Sequence, residues 1–150
     1  MKKYITTAAF FFLSLAVFSQ AESPVNWSFS SQKKAGNVYE VVMNATVPKP
    51  WHIYSQFTSN GGPLPTKITF FSNPLIQIDG ASGETGTLKT NHDPYSDVDV
   101  KYFSDKVSFV QTIKVKGSIQ TELRGNIEYM VCNDSKCLPP VKQPFDIKLH

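Results

Sequence analysis

The chain predicts an all-β sandwich. Segments rich in β-branched and aromatic residues recur along it, and the clearest of them alternate with period two. Proline- and glycine-bearing punctuation separates them. No window after residue 21 combines an apolar stripe at helical spacing with a cap.

The first predicted strand is Val38 to Val47, with partial alternation. A short one follows at Lys67 to Phe71. Lys106 to Val115 is the strongest, because Val107, Phe109, Gln111, Ile113 and Val115 fall on one face of an extended chain. Ile119 to Val131 and Phe145 to Leu149 complete the set. Pro48-Lys49-Pro50, Gly61-Gly62-Pro63-Leu64-Pro65, Ser72-Asn73-Pro74 and Gly83 to Gly86 read as turns. Asn91 to Asp99 reads as a polar loop, too long for a tight hairpin and of the kind that often carries function. No internal repeat or low-complexity tract is visible.

The 150 residues suffice for one ordinary domain. Hydrophobic residues make up 41% and aromatics 13%, enough to bury a real core. Residues 1–21 read as a secretory signal peptide: Lys2 and Lys3, an apolar run from Ala8 to Phe18, then Ser19-Gln20-Ala21 with cleavage after Ala21. The run covers 11 residues, against the roughly 20 needed to span a bilayer as a helix. No cysteine near the cleavage point supports lipid attachment. Without Lys2 and Lys3 the mature domain, 22–150, carries 13 basic and 12 acidic residues, a net +1. That leaves no basic field for nucleic acid or an anionic membrane. Export also places the two cysteines where disulfides form.

Those cysteines sit in Tyr129-Met130-Val131-Cys132-Asn133-Asp134-Ser135-Lys136-Cys137-Leu138-Pro139-Pro140. Three chemistries fit a local pair. As a structural staple it is weak, since closing so short a ring is worth roughly 2 kcal/mol in the loop-entropy model. As a zinc site it lacks partners: tetrahedral zinc wants four ligands, and His52, His92 and His150 have no paired spacing. Copper(I) could add Met130. As a redox pair it needs two sulfurs on an exposed hairpin. Extended arms at Tyr129 to Val131 and Leu138 to Pro140 around an Asn-Asp-Ser-Lys turn would supply one. Lys136 favours a thiolate at Cys137, and Asp134 opposes it. The residues alone leave the structural and redox readings open. Asp93, Asp97 and Asp99 lack the glycine and the distal glutamate of an EF-hand loop. No Ser-His-Asp set, phosphate loop or carboxylate pair is legible.

An aromatic-x-x-Cys, a short polar loop and Cys-x-Pro-Pro resemble the N-terminal periplasmic domain of the thiol:disulfide interchange protein DsbD. Trp51-His52-Ile53-Tyr54 resembles that family's aromatic strand beside the cysteines. Gly62-Pro63-Leu64-Pro65-Thr66 resembles its following proline-containing segment more loosely. His92-Asp93-Pro94-Tyr95, upstream of Tyr102 to Val107, resembles its acidic cap loop. The likeness runs from about Val25 to Leu149. It implies an immunoglobulin-like β-sandwich with a reversible Cys132–Cys137 disulfide, relaying electrons from a membrane-embedded donor to thioredoxin-fold acceptors. It implies that Cys137 forms the mixed disulfide and Cys132 resolves it. It also implies that Tyr95, with Asp93 beside it, shields the sulfurs, and that His52 and Tyr54 line the site. No cofactor and no metal are expected. The Cys-x4-Cys spacing is one residue shorter than in the best-known members. Because the chain ends at His150 without the family's transmembrane and thioredoxin-like modules, the expectation is a freestanding domain whose reductant acts in trans.

Overall fold

The computed structural model describes residues 23–94 and 96–150. The predicted alternation is realised in full: Val107, Phe109, Gln111, Ile113 and Val115 are all buried, and the residues between them face outward. This stretch is half of a longer strand. In order the strands are β1 (Asn26–Lys33), β2 (Val38–Thr46), β3 (His52–Tyr54), β4 (Lys67–Phe70) and β5 (Ile76–Asp93). They continue as β6 (Val98–Val115), β7 (Thr121–Tyr129), β8 (Val131–Cys132) and β9 (Val141–Leu149). The described residues contain no helix.

Two antiparallel sheets result. The larger runs β1-β2-β6-β3-β8, with β5 on the remaining edge of β6, and the smaller runs β4-β7-β9. β6 is the spine of the larger sheet. One edge pairs along its length with β5, while the other serves β2 from Lys106 onward and β3 at Tyr102 and Phe103. The change of partner coincides with a bend. Asp105 there has φ of 124°, and β5 shifts register between Gly86 and Leu88. A Cβ on Gly86 would lie 2.7 Å from the Lys106 carbonyl oxygen, so only glycine lets β5 follow the bend. Bulges of this kind re-aim side chains. Here the bend separates the half of β6 that builds the core from the half that leads to the cysteines.

The core lies between the sheets. Val41, Met43, Phe109 and Ile113 from the larger sheet meet Leu123, Ile127, Phe145 and Ile147 from the smaller. Each such side chain contributes about 1.5–3 kcal/mol on burial. Trp27 sits at the seam, stacked on Phe109 at 5.9 Å and edge-on to Tyr129 at 5.3 Å. Gln111, the one polar residue on the alternating face, is satisfied by the Asp79 and Thr112 carbonyls and by the Ser82 hydroxyl. The architecture is an immunoglobulin-like all-β sandwich, as the sequence predicts.

Two expectations are corrected. Gly83 to Gly86 is no turn; it pairs with Val110 to Val107 inside β5. Of its two glycines, Gly86 serves a close backbone approach. Asn91 to Asp99 is no open loop. Asn91, His92 and Asp93 pair with Val100, Asp99 and Val98, so β5 and β6 form one long hairpin with only residues 94–97 at its tip. Polar side chains on an exposed edge strand removed the alternation that would have revealed it. Most of β5 carries no legible signal for the same reason; β1 does alternate, with Trp27, Phe29 and Ser31 facing inward, but only two of those three are apolar.

Gly125 marks the tightest point of the smaller sheet. A Cβ there would run into the Thr69 carbonyl and the Phe145 ring. Gly125→Ala is expected to cost about 3 kcal/mol, because backbone and a core ring must both move. Urea unfolding should show the midpoint fall with an unchanged slope.

Candidate functional site: the disulfide cleft

The cysteine hairpin is built locally. The Asn133 side-chain oxygen accepts hydrogen bonds from the Ser135 and Lys136 amides at 2.9 and 2.8 Å, an Asx-type turn. The Asn133 amide donates to the Lys136 carbonyl at 2.9 Å, and the Leu138 amide to the Val131 carbonyl at 2.8 Å. Cys132 and Cys137 therefore face each other as a bridge pair, with Cα atoms 4.0 Å apart and the sulfurs bonded.

Long-range pairing then makes the two cysteines unequal. β8 pairs with β3, setting Cys132 opposite His52 and Val131 opposite Ile53. Cys132 is buried at 1% exposure and packs with Tyr54, Val100 and Met130 in a small satellite core. Cys137, on the outer arm, is exposed. The pair opens onto a cleft of about 650 Å³. Its walls are His52 and Tyr54 from β3, Val100 and Tyr102 from β6, and His92 and Asp93 from the end of β5.

The aromatic wall is specific. The His52 ring meets Tyr102 at 4.8 Å and stands edge-on to Tyr54 at 5.4 Å. His52 Nε2 lies 3.2 Å from the Tyr54 hydroxyl, a hydrogen bond whose direction depends on the tautomer. Burial pushes the His52 pKa below its usual 6.5; Asp134 pulls it back up and Lys89 presses it further down. Burial pushes Tyr54 up to about 12, with Asp93 and Tyr102 adding to the rise. Near neutral pH the wall is thus an uncharged imidazole beside a phenol that keeps its proton. Thr66 anchors this strand to the Gly62-to-Thr66 segment: its hydroxyl, in a residue only 2% exposed, donates to the Tyr54 carbonyl at 2.5 Å.

Of the cap residues, Asp93 lines the cleft, accepts a hydrogen bond from the Ser96 hydroxyl at 2.7 Å and takes the Asp97 amide on its carbonyl at 2.9 Å. Tyr95 lies outside the described residues, as does the segment read as a signal peptide, 1–21. The tip rests on the glycine loop: a Cβ on Gly62 would come within 3.1 Å of Val98 Cγ2 and 3.2 Å of Ser96 Oγ. His92 spans the tip, 3.3 Å from Asp97 and 3.2 Å from Asp99. The structure thus brings Cys132, Cys137, His52, Tyr54 and Asp93 to one cleft. It also brings in His92 of the cap motif and Asp134 of the cysteine turn, and adds Tyr102 and Lys89, to which the sequence alone gave no place in the site. Recognising the β5–β6 hairpin would have found Tyr102 and Lys89, since the two pair across its arms beside the cap motif.

Fold and site together define an immunoglobulin-like domain that presents a surface disulfide at one end of its larger sheet. The model of the family "Thiol:disulfide interchange protein DsbD, N-terminal" matches residues 19–149, and the chain belongs to that family. Among solved structures it is similar to the N-terminal domain of Neisseria meningitidis DsbD in the reduced form. The identity is 14% and the TM-score 0.54, covering 81% of this chain and 86% of that one. It is also similar to the N-terminal periplasmic domain of ScsB from Proteus mirabilis, at 11% identity and TM-score 0.57. That match covers 91% of this chain but only 49% of the ScsB domain. At these identities the likeness speaks for the fold. No curated protein matches the sequence.

A phenol whose folded pKa lies above its unfolded value holds its proton longer in the native state. The stability tied to Tyr54 is therefore complete below pH 10 and is lost as pH rises towards about 12. Absorbance titration of phenolate should show one tyrosine ionising late. Tyr54→Phe should remove that late step and flatten stability over this window.

Proposed function

We propose that the domain is a periplasmic thiol–disulfide relay, passing electrons from a membrane-embedded reductant to thioredoxin-fold acceptors through a reversible Cys132–Cys137 disulfide. One observation carries this reading: Cys132 is buried at the cleft floor while Cys137 is exposed at its rim. Exchange requires a partner sulfur to approach along the S–S axis, and only Cys137 leaves room for it. Family membership supports the same chemistry. Residues 1–21 deliver the chain to the periplasm, and the described residues contain no helix long and apolar enough to cross a membrane.

The step runs as follows. The Cys137 thiolate attacks one sulfur of the acceptor disulfide. The acceptor's other sulfur leaves as a thiolate and a mixed disulfide forms. The Cys132 thiolate then attacks Cys137 Sγ, closing Cys132–Cys137 and releasing the acceptor with two electrons and two reduced sulfurs. The donor dithiol reopens the bond by the reverse sequence. Tyr95 shields the sulfurs between encounters; its neighbours Asp93 and Pro94 line the cleft.

A Cys132→Ser protein should trap a mixed disulfide through Cys137 with an oxidised thioredoxin-fold partner. The Cys137→Ser counterpart, left with the buried sulfur, should trap far less. Titration against glutathione or dithiothreitol should give a potential in the exchange range. A value well below about −300 mV, typical of structural bridges, would sink the relay. Tyr95→Ala should speed alkylation of the reduced thiols, and an unchanged rate would remove Tyr95 from the site.

A further inference from the structure

We propose that His52 is the proton acceptor and donor for Cys132, the residue that lets a buried sulfur alternate between thiol and thiolate. The proposal rests on the relay reading above. A sulfur at 1% exposure cannot exchange its proton freely with water, and apolar burial disfavours its thiolate. Residues directly opposite on antiparallel strands share a face, with side chains in contact range. The residue opposite Cys132 is His52, and both line the same cleft.

The ring is fixed for this task. Tyr102 packs on it and Tyr54 holds Nε2, so the imidazole is held on the cleft wall that Cys132 shares. With Nε2–H donating to the Tyr54 oxygen, Nδ1 carries the lone pair that receives a proton. The groups around it are mixed in charge. Tyr54 shares its strand, Tyr102 comes from β6, Lys89, His92 and Asp93 from β5, and Asp134 and Lys136 from the cysteine turn. Burial keeps the ring neutral in the resting state, and Asp134 steadies the imidazolium once it forms. In resolution, Cys132–SH gives its proton to His52, and the resulting thiolate attacks Cys137 Sγ. The Cys137–partner S–S bond breaks, the partner sulfur leaves with the electron pair, and His52 returns the proton to water. When a donor opens the disulfide, Cys132 leaves as thiolate and His52 protonates it.

An aromatic disulfide that releases a coloured thiolate, 5,5′-dithiobis(2-nitrobenzoate), separates the two steps. Reduced protein should release one equivalent as Cys137 attacks and a second as Cys132 resolves. In the native protein the second rate should be nearly level with pH across neutrality, because a thiol–imidazole pair exchanges its proton internally. In His52→Gln the second rate should fall at least about tenfold at neutral pH and then climb about tenfold per pH unit. Positioned proton transfer is worth on the order of 10²–10⁴ in rate. The first release should stay within about twofold, since Cys137 is exposed. Added imidazole should restore the second rate in His52→Ala. Tyr54→Phe, which keeps the ring but frees Nε2, should slow the second release by a smaller factor with the level profile kept. It provides the measurement should the His52 variants not fold. Two phases in the native protein with an unaltered second phase and pH profile in His52→Gln overturn the role of His52 alone. In that Tyr54→Phe substitute measurement, an unchanged second rate does the same. A native protein that never releases the second equivalent overturns the relay itself, and this proposal with it.

Discussion

Strand β3 is three residues long, yet it is hydrogen-bonded on both sides. Ile53 and Tyr54 pair with Phe103 and Tyr102 of β6, while His52 and Ile53 pair with Cys132 and Val131 of β8. Among the described residues, β3 is the strand that pairs the cysteine hairpin with the larger sheet. Ile53 is fully buried and joins the main core, which locks the register. A one-residue slip would turn every side chain of β3 to the other face. His52 and Tyr54 would then leave the cleft, and Cys132 would lose its opposite neighbour. The site thus inherits its precision from the packing of one isoleucine and from the bend in β6 that frees Tyr102 and Phe103 to receive β3.

From that attachment follows the inequality of the two sulfurs. A hairpin turn alone would expose both. Anchoring one arm to β3 buries Cys132 with Tyr54, Val100 and Met130 and leaves Cys137 on the free arm. One sulfur-bearing residue is open to solvent, and the other is enclosed by side chains. The aromatic wall complements this division. It sets an imidazole and a phenol beside the buried cysteine, polar groups that place no permanent charge against an apolar floor.

The opposite side of the cleft is organised by different forces. The β5–β6 tip is polar and its His92–aspartate contacts are exposed, so each contributes little to stability. Its shape comes from short-range hydrogen bonding through Asp93 and from its fit on Gly62. The wall carrying the sulfurs is thus packed on the core, while the tip opposite is held by weak surface interactions, the less stable side of the cleft.

Much of the fold was legible because burial imposes period two. Val107 to Val115 announced a half-buried strand, and Val38 to Val47 another. β5 presents an edge and polar faces where burial imposes no alternation, and its glycines imitate a turn; in β1 the inward face is marked by Trp27 and Phe29 and then gives way to Ser31. The cysteine hairpin was legible too. Its two sulfurs are five residues apart, so their proximity is a local matter of chain geometry and turn chemistry. What only the tertiary structure decided is which sulfur is buried and what stands against it. His52 lies 80 positions from Cys132 in the chain. No local propensity relates them; the pairing of β3 with β8 does, and that pairing exists because the core holds Ile53 in place.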